Sequence, residues 1–394
     1  MGVKEEMTGE FTERRKMLWF WLASSCGLSA AEIHRIRDGG NGSADAEDIV
    51  RMRPEEIAEN FGLSEQSAET VRTAAEGGTV YGGQGAAESP ERAAEKYRKL
   101  AERGVAMLTF YDEGFPDRLR LIPDPPFLLF VKGRLPGTEE PAAAVVGSRR
   151  NMDYGRLCTE DITGALADAG CHVISGLAYG IDAYAHRAAL DAGGRTSAVM
   201  GCGIDECYPA GNYRIYERIL ESGGAVISEF PPGSPALAWH FPIRNRIISG
   251  LADCVLVMEA TKKSGTQITV SYALDQGRDV FALPGRVWDP LSAGCLEMIR
   301  DGAQILTGAD QVLEALNGKG FVFGERGRKK PRIALAKEEK QVYSALSNDP
   351  VTQEEVLRKT ALSAAAVFRA LTRLELEGLA FRTPQGTYYR KRQV

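Results

Sequence analysis

Between residues 142 and 283 the chain alternates short, nearly unbroken apolar runs with longer stretches whose apolar positions recur at helical spacing. The runs are Ala142–Val146, His172–Ser175, Thr196–Met200, Ala225–Ile227, Cys254–Met258 and Val280–Leu283. Runs without polar alternation predict strands buried on both faces. The stretches Tyr154–Ala169, Ile181–Ala192, Tyr213–Glu221 and Thr266–Gln276 predict the helices that cover them. Strand and helix in regular alternation predict an α/β fold with a parallel sheet, and such sheets hold ligands off the carboxyl ends of their strands.

The flanks read differently. Met17–Ser24 is densely apolar, Ala30–Arg37 follows a Ser29 cap, and Pro54–Phe61 opens with proline. Gly62-Leu63-Ser64 then separates it from a helix through Ala75, a pattern like a helix-hairpin-helix or SAM unit. Such units more often pack than bind DNA, and the acidic residues here do not favour DNA. In the tail, helices are predicted at Lys337–Leu346, at Thr352–Lys359 with a Thr352/Glu355 capping box, and at Ser363–Glu377. Leu379–Thr383 and Thr387–Arg390 flank the turn Pro384-Gln385-Gly386, completing a winged helix. Its recognition helix would present Arg369 and Arg373, with Lys391 and Arg392 past the wing. Two Gly-rich stretches, Gly77–Pro90 and Gly318–Pro331, divide the chain into a helical domain (1–76), an α/β domain (90–318) and the winged helix (331–394).

Charge sharpens this division. The net charge of the 394 residues is −5, yet from Arg326 to Val394 there are 15 Lys/Arg against 7 Asp/Glu. A tail of +8 leaves −13 on the body, which suits local contact with an anion rather than general coating of DNA. The polar N-terminus is not a secretory signal and no apolar run is long enough to span a bilayer, so a cytoplasmic protein without membrane contact is expected. Seven scattered cysteines lack metal-ligand spacing and read as free thiols; no metal or cofactor is expected.

The chemistry concentrates where the strands end. Gly147-Ser148-Arg149 follows the first run: glycine admits a phosphate to the backbone, and arginine adds a forked donor. The bland alternative is an ordinary turn with an exposed arginine. Ser175, Gly176 and Gly180 shape a similar loop closed by Asp182, which could equally cap the next helix. His186 reads as packed rather than catalytic. Gly201–Asp205 with Tyr208-Pro209 and Asn212 forms a third loop. Phe241, Arg244, Asn245 and Arg246 place an aromatic among cations, with at least one arginine expected to project from the helix start. Ser264-Gly265-Thr266 forms an anion nest at a helix N-terminus, and Leu283–Arg286 closes the last strand.

These segments, in order VGSR, SGLAYGID, GCGID…YP…N, SEFPPG, FPIRNRIISG, EA…SGTQIT and ALPG, resemble the DprA/Smf family over about Thr109–Leu316. The resemblance implies an extended Rossmann-like core, single-stranded DNA binding, homodimerisation, and loading of the RecA recombinase during natural transformation. It assigns DNA contact to Gly147, Ser148, Arg149, Ser175, Gly176, Gly180, Phe241, Arg244, Asn245, Arg246, Ser264, Gly265 and Thr266. Where many members carry a lysine after the asparagine, this chain has Tyr213 and Arg214, and Arg214 is expected to supply the charge. The winged helix would contact duplex DNA or protein.

Two other functions remain open on the residues alone. A Rossmann-like nucleotide-phosphate hydrolase would use a similar Gly-Thr helix start, but the glutamate it needs is replaced, Gln267 following Thr266. Glu229 and Glu259 are the acids near strand ends worth testing, and no enzyme activity is expected. A winged-helix transcription regulator would bind duplex through its tail.

Overall fold

The apolar runs fold as strands, and the amphipathic stretches lie over them. The computed structural model describes residues 13–39, 46–77, 89–323, 334–347, 349–383 and 385–390. They fall into two units, Met1–Arg326 and Gly327–Val394. Lys391, Arg392, Pro384 and most of both Gly-rich stretches lie outside the described residues.

The first unit opens with helices α1 (Glu13–Ser25), α2 (Ala30–Gly39), α3 (Ala46–Arg51), α4 (Pro54–Phe61), α5 (Glu65–Ala75) and α6 (Pro90–Glu102). Strand β1 (Val105–Thr109), helix α7 (Asp117–Arg120) and strand β2 (Leu128–Gly133) follow. Then come β3 (Ala142–Val146), α8 (Asp153–Asp168), β4 (His172–Ser175), α9 (Ile181–Asp191), β5 (Thr196–Met200), α10 (Tyr213–Glu221) and β6 (Ala225–Ser228). The last part holds α11 (His240–Gly250), β7 (Cys254–Val257), α12 (Gly265–Asp275), β8 (Asp279–Ala282), α13 (Ala293–Arg300), β9 (Gln304–Ile305) and α14 (Ala309–Gly318). Among the described residues no helix is long and apolar enough to cross a membrane.

The sheet order is β1-β2-β6-β5-β4-β3-β7-β8-β9. From β6 to β9 all pairs are parallel, whereas β2 runs antiparallel to β6 and to β1. The chain leaves β3 toward β4 and β5 on one side and returns to β7 on the other, so the topology reverses between β3 and β7. A crevice opens at such a switch point because the two following loops diverge to opposite faces. The central strand begins with Ala142, Ala143 and Ala144, all fully buried, and small side chains there let the covering helices approach closely. At its start, buried Arg118 donates through Nε and an Nη to Asp253 at 3.0 Å each, while Asp253 accepts the Ala142 N–H at 2.8 Å.

The N-terminal helices share one core with β1, β2 and β6. Trp19 packs on Phe127 at 4.9 Å between ring centroids, Phe20 on Phe130 at 6.0 Å, and His34 stands edge-on to both Phe110 and Phe127. The Tyr111 hydroxyl donates to Asp38 at 3.1 Å.

The second unit is α15 (Lys337–Ala345), α16 (Gln353–Thr360), α17 (Ala364–Leu376) and the antiparallel pair β10 (Ala380–Arg382) and β11 (Tyr388–Arg390). The Thr352/Glu355 box caps α16, with Glu355 N–H donating to Thr352 Oγ1 at 3.2 Å and Thr352 N–H to Glu355 at 2.8 Å.

Two buried histidines, His172 at the start of β4 and His186 on α9, bear on acid stability. His172 Nε2 bonds Ser197 Oγ at 2.8 Å, and His186 Nδ1 bonds Thr196 Oγ1 at 2.7 Å. Burial holds His172 down to about 4 and His186 down to about 3, so the fold keeps both neutral. The unfolded chain takes up these protons below its ordinary value of 6.5 and the folded chain does not, so this stability is present above that pH and is lost as pH falls. Substitution of His186→Gln should shrink the drop in melting temperature between about pH 6.5 and about pH 4.5. An acid limb as steep as the parent's would clear His186.

Candidate nucleic-acid interface

A cavity of about 770 Å³ opens over the β3/β7 switch point. The loop after β3 supplies Gly147, Ser148 and Arg149; α11 supplies Phe241, Arg244 and Asn245; the start of α12 supplies Ser264, Gly265 and Thr266. Arg150, Tyr208, Thr261 and Leu291 complete much of the wall.

Its first two loops are locked together by glycines. Gly180 has φ +78°, and a Cβ there would overlap the carbonyl oxygens of Ser148 and Arg149. The next residue, Ile181, donates its N–H to Ser148 at 3.2 Å. At Gly176 a Cβ would stand 2.8 Å from both Arg244 Nη2 and Asp182 Oδ2. A side chain at position 180 would push the two loops apart, and one at position 176 would press on the Arg244–Asp182 pair.

The three arginines divide sharply in their surroundings. Arg244 is buried, and its Nη1 donates to Gly176 O at 2.9 Å and also to Val199 O. Burial lowers its pKa to about 10 and raises that of Asp182, and the attraction between the two opposes both shifts. Asp182 in turn accepts the Gly176 N–H at 3.2 Å. Arg246 points the other way, donating to both carboxylate oxygens of Glu229 at 2.6 and 2.7 Å and meeting Asp124 at 3.0 Å. Both sit inside α11, two residues apart and therefore on nearly opposite faces; neither projects from the helix start. Arg149, by contrast, is exposed, and its guanidinium carbon lies 5.3 Å from the centre of the Phe241 ring.

At α12 the positive end of the helix dipole faces the cavity. The Ser264 hydroxyl there is buried without a hydrogen-bond partner among the described residues. Such a site accommodates a phosphate oxygen.

The sequence profile of DNA recombination-mediator protein A matches residues 106–317, and that of the DprA winged helix domain matches residues 327–386. The chain belongs to the DprA family. It is 35% identical over 324 residues to Protein Smf of Synechocystis sp., covering 74% of this chain and 81% of that one. It is 45% identical over 202 residues to DNA processing protein DprA of Streptococcus pneumoniae, covering 51% of this chain and 71% of the relative. The X-ray structure of the pneumococcal DNA processing protein A superposes with a TM-score of 0.64 at 34% identity, over 77% of this chain and 97% of that one.

Within this DprA fold the residues chosen from sequence separate into two groups. Gly147, Ser148, Arg149, Phe241, Arg244, Asn245, Ser264, Gly265 and Thr266 are brought together around the cavity. Ser175, Gly176, Gly180, Arg214 and Arg246 are outside its wall: the Ser175 hydroxyl donates to Val145 O at 2.7 Å, and Arg214 is exposed on α10. Thr261 and Leu291 escaped sequence reasoning because a backbone bond brings them in, Ala260 N–H to Leu291 O at 2.8 Å. Of the two acids, Glu229 pairs with Arg246, and buried Glu259 accepts the Met152 N–H at 3.0 Å at the start of α8.

Among the described residues, the candidates in the two flanks offer no plain phosphate grip. At the α4–α5 hairpin the carboxylate of Glu32, reaching over from α2, accepts from Ser67 at 2.7 Å, so a carboxylate already occupies the N-terminal turn of α5. On α17, Arg373 is drawn to Glu339 at 3.4 Å, while Phe368 and Leu376 are exposed beside Arg369.

Burial raises the Glu259 carboxyl to about 7. The folded state therefore holds a proton that the unfolded state releases above its ordinary 4.5, and this group makes the fold less stable as pH climbs between those values. Glu259→Gln lacks that penalty. Its melting temperature relative to the parent should rise as pH goes from about 4.5 to about 7.5, and a pH-independent difference would refute the assignment.

Proposed function

We propose that this chain binds single-stranded DNA in the switch-point cavity and passes it to the RecA recombinase, in homologous recombination and in natural transformation, as a cytoplasmic homodimer. One observation carries the reading: an exposed arginine over an aromatic ring faces a helix N-terminus whose buried serine hydroxyl is unpartnered. Arg149 and the α12 N-terminus would hold backbone phosphates, Gly147 and Gly265 would let them approach, and Phe241 and Asn245 would meet a base. Ser175, Gly176, Gly180 and Arg244 would act by holding the loops in place, and Arg246 by anchoring α11 to Glu229 and Asp124 on its far side. Arg214 would add charge outside the cavity. The winged helix would contact duplex DNA or protein without carrying the core activity. The reading includes no catalytic step and no cofactor.

Arg149→Ala should weaken single-strand binding about tenfold or more with an unchanged melting temperature, because a charge-assisted contact contributes roughly 1.5–3 kcal/mol. Arg149→Lys should restore only part of the affinity, since an ammonium cannot reproduce the fork. Arg246→Ala should do the reverse, lowering stability by up to about 3 kcal/mol by leaving the half-buried Glu229 without its counter-charge. Fluorescence anisotropy with labelled strands and thermal melts on the three variants decides between them: full affinity in Arg149→Ala would remove this residue from the site. Separately, the full chain should speed RecA filament assembly on single strands, and no acceleration would limit the function to binding.

A further inference from the structure

Beside the cavity, on the same carboxyl edge, stand tyrosines that the assignments above leave without a task. Tyr179 is 52% exposed, Tyr208 43% and Tyr213 52%. Tyr208 lines the cavity, its ring 5.6 Å from that of Phe241. From Tyr208 the chain enters the turn Ala210–Asn212, and the buried Asn212 amide donates to Leu177 O at 2.9 Å and Ala178 O at 3.2 Å. That clamp joins the loops after β4 and β5. Tyr179, next to Ala178, lies on the turn: a Cβ at Gly211 would stand 2.7 Å from its hydroxyl oxygen and 3.2 Å from a ring carbon. Tyr213 begins α10 parallel to Tyr216, 6.0 Å between centroids and 8° between planes. Since Tyr216 is buried, the stack anchors Tyr213 from within.

Exposed rings held by the backbone at Gly211 and by the neighbouring rings of Phe241 and Tyr216 have little freedom left to lose, which suits them to stacking on flat partners. Cations border the row at both ends: Arg149 and Arg150 on the loop against which Gly180 packs, and exposed Arg214 beside Tyr213. We propose that Tyr208, Tyr179 and Tyr213 form a track on which unpaired bases stack as a single strand leaves the cavity. This rests on the single-strand reading above. It makes the row a stacking platform whose contribution is insensitive to salt and tolerant of sequence, in contrast with the phosphate contacts at Arg149.

The test uses the full-length protein, a labelled single strand of about 20 nucleotides, and the same strand with abasic sites along most of its length. The Tyr179→Ala/Tyr213→Ala double variant should lose about tenfold in affinity for the ordinary strand, with its melting temperature and its dependence on salt unchanged. On the abasic strand parent and variant should bind alike, and Tyr179→Phe/Tyr213→Phe should keep the parent's affinity for both. Parental affinity in the alanine variant would overturn the track, and so would an equal loss on the abasic strand. A change in self-association or RecA assembly with strand affinity intact would overturn it too, marking the row as a protein contact. If the parent binds neither strand, the single-strand reading itself falls; if it binds and the variants do not differ, only the track falls.

Discussion

A guanidinium shut away from water keeps its charge only if the protein supplies the acceptors that water would have provided. Arg244 finds them at the last turns of two neighbouring strands, on Gly176 and Val199, with Asp182 as counter-charge. Much of the site follows from this one requirement. Position 176 must lack a side chain, α11 must lie across the ends of β4 and β5, and Phe241, one turn earlier on that helix, is thereby set over the cavity. Arg149 then has a ring to rest against. The residue most deeply built into the site thus organises it, and the exposed one is left to meet the ligand.

How much of this could be read from the chain depends on what each signal measures. The six runs from Ala142 to Leu283 were legible as strands because each is buried on both faces, which leaves no polar alternation to confuse the pattern. Strands β1 and β2 were not anticipated: β2 pairs in antiparallel register with β6, far along the chain, and β1 pairs with β2 outside the alternating βα pattern that marks the other strands. The Gly-rich stretch after Ala75 suggested an autonomous first domain, yet Trp19 and Phe20 lie against Phe127 and Phe130 across that stretch. Composition locates a linker but is blind to what packs beyond it.

The arginines teach the same lesson at atomic scale. Arg244 and Arg246 looked alike in sequence, a pair of cations around Asn245. Helical geometry sends them to opposite sides, and the partner that decides the fate of Arg246 is Glu229, from the segment after β6. The loop glycines and Ser264 were legible because backbone chemistry is local. The side of a helix that faces a ligand depends on every neighbour at once.

The core shared by the N-terminal helices and the sheet has a consequence for synthesis. A ribosome delivers α1 to α5 first, with Trp19, Phe20 and Trp21 already facing inward, but the surface that covers Trp19 and Phe20 includes Phe127 and Phe130. The helices can form as they emerge, yet they cannot dry their inner face until the chain through β2 has followed. The growing polypeptide must therefore carry an oily surface through that interval, a natural point for holding chaperones to act.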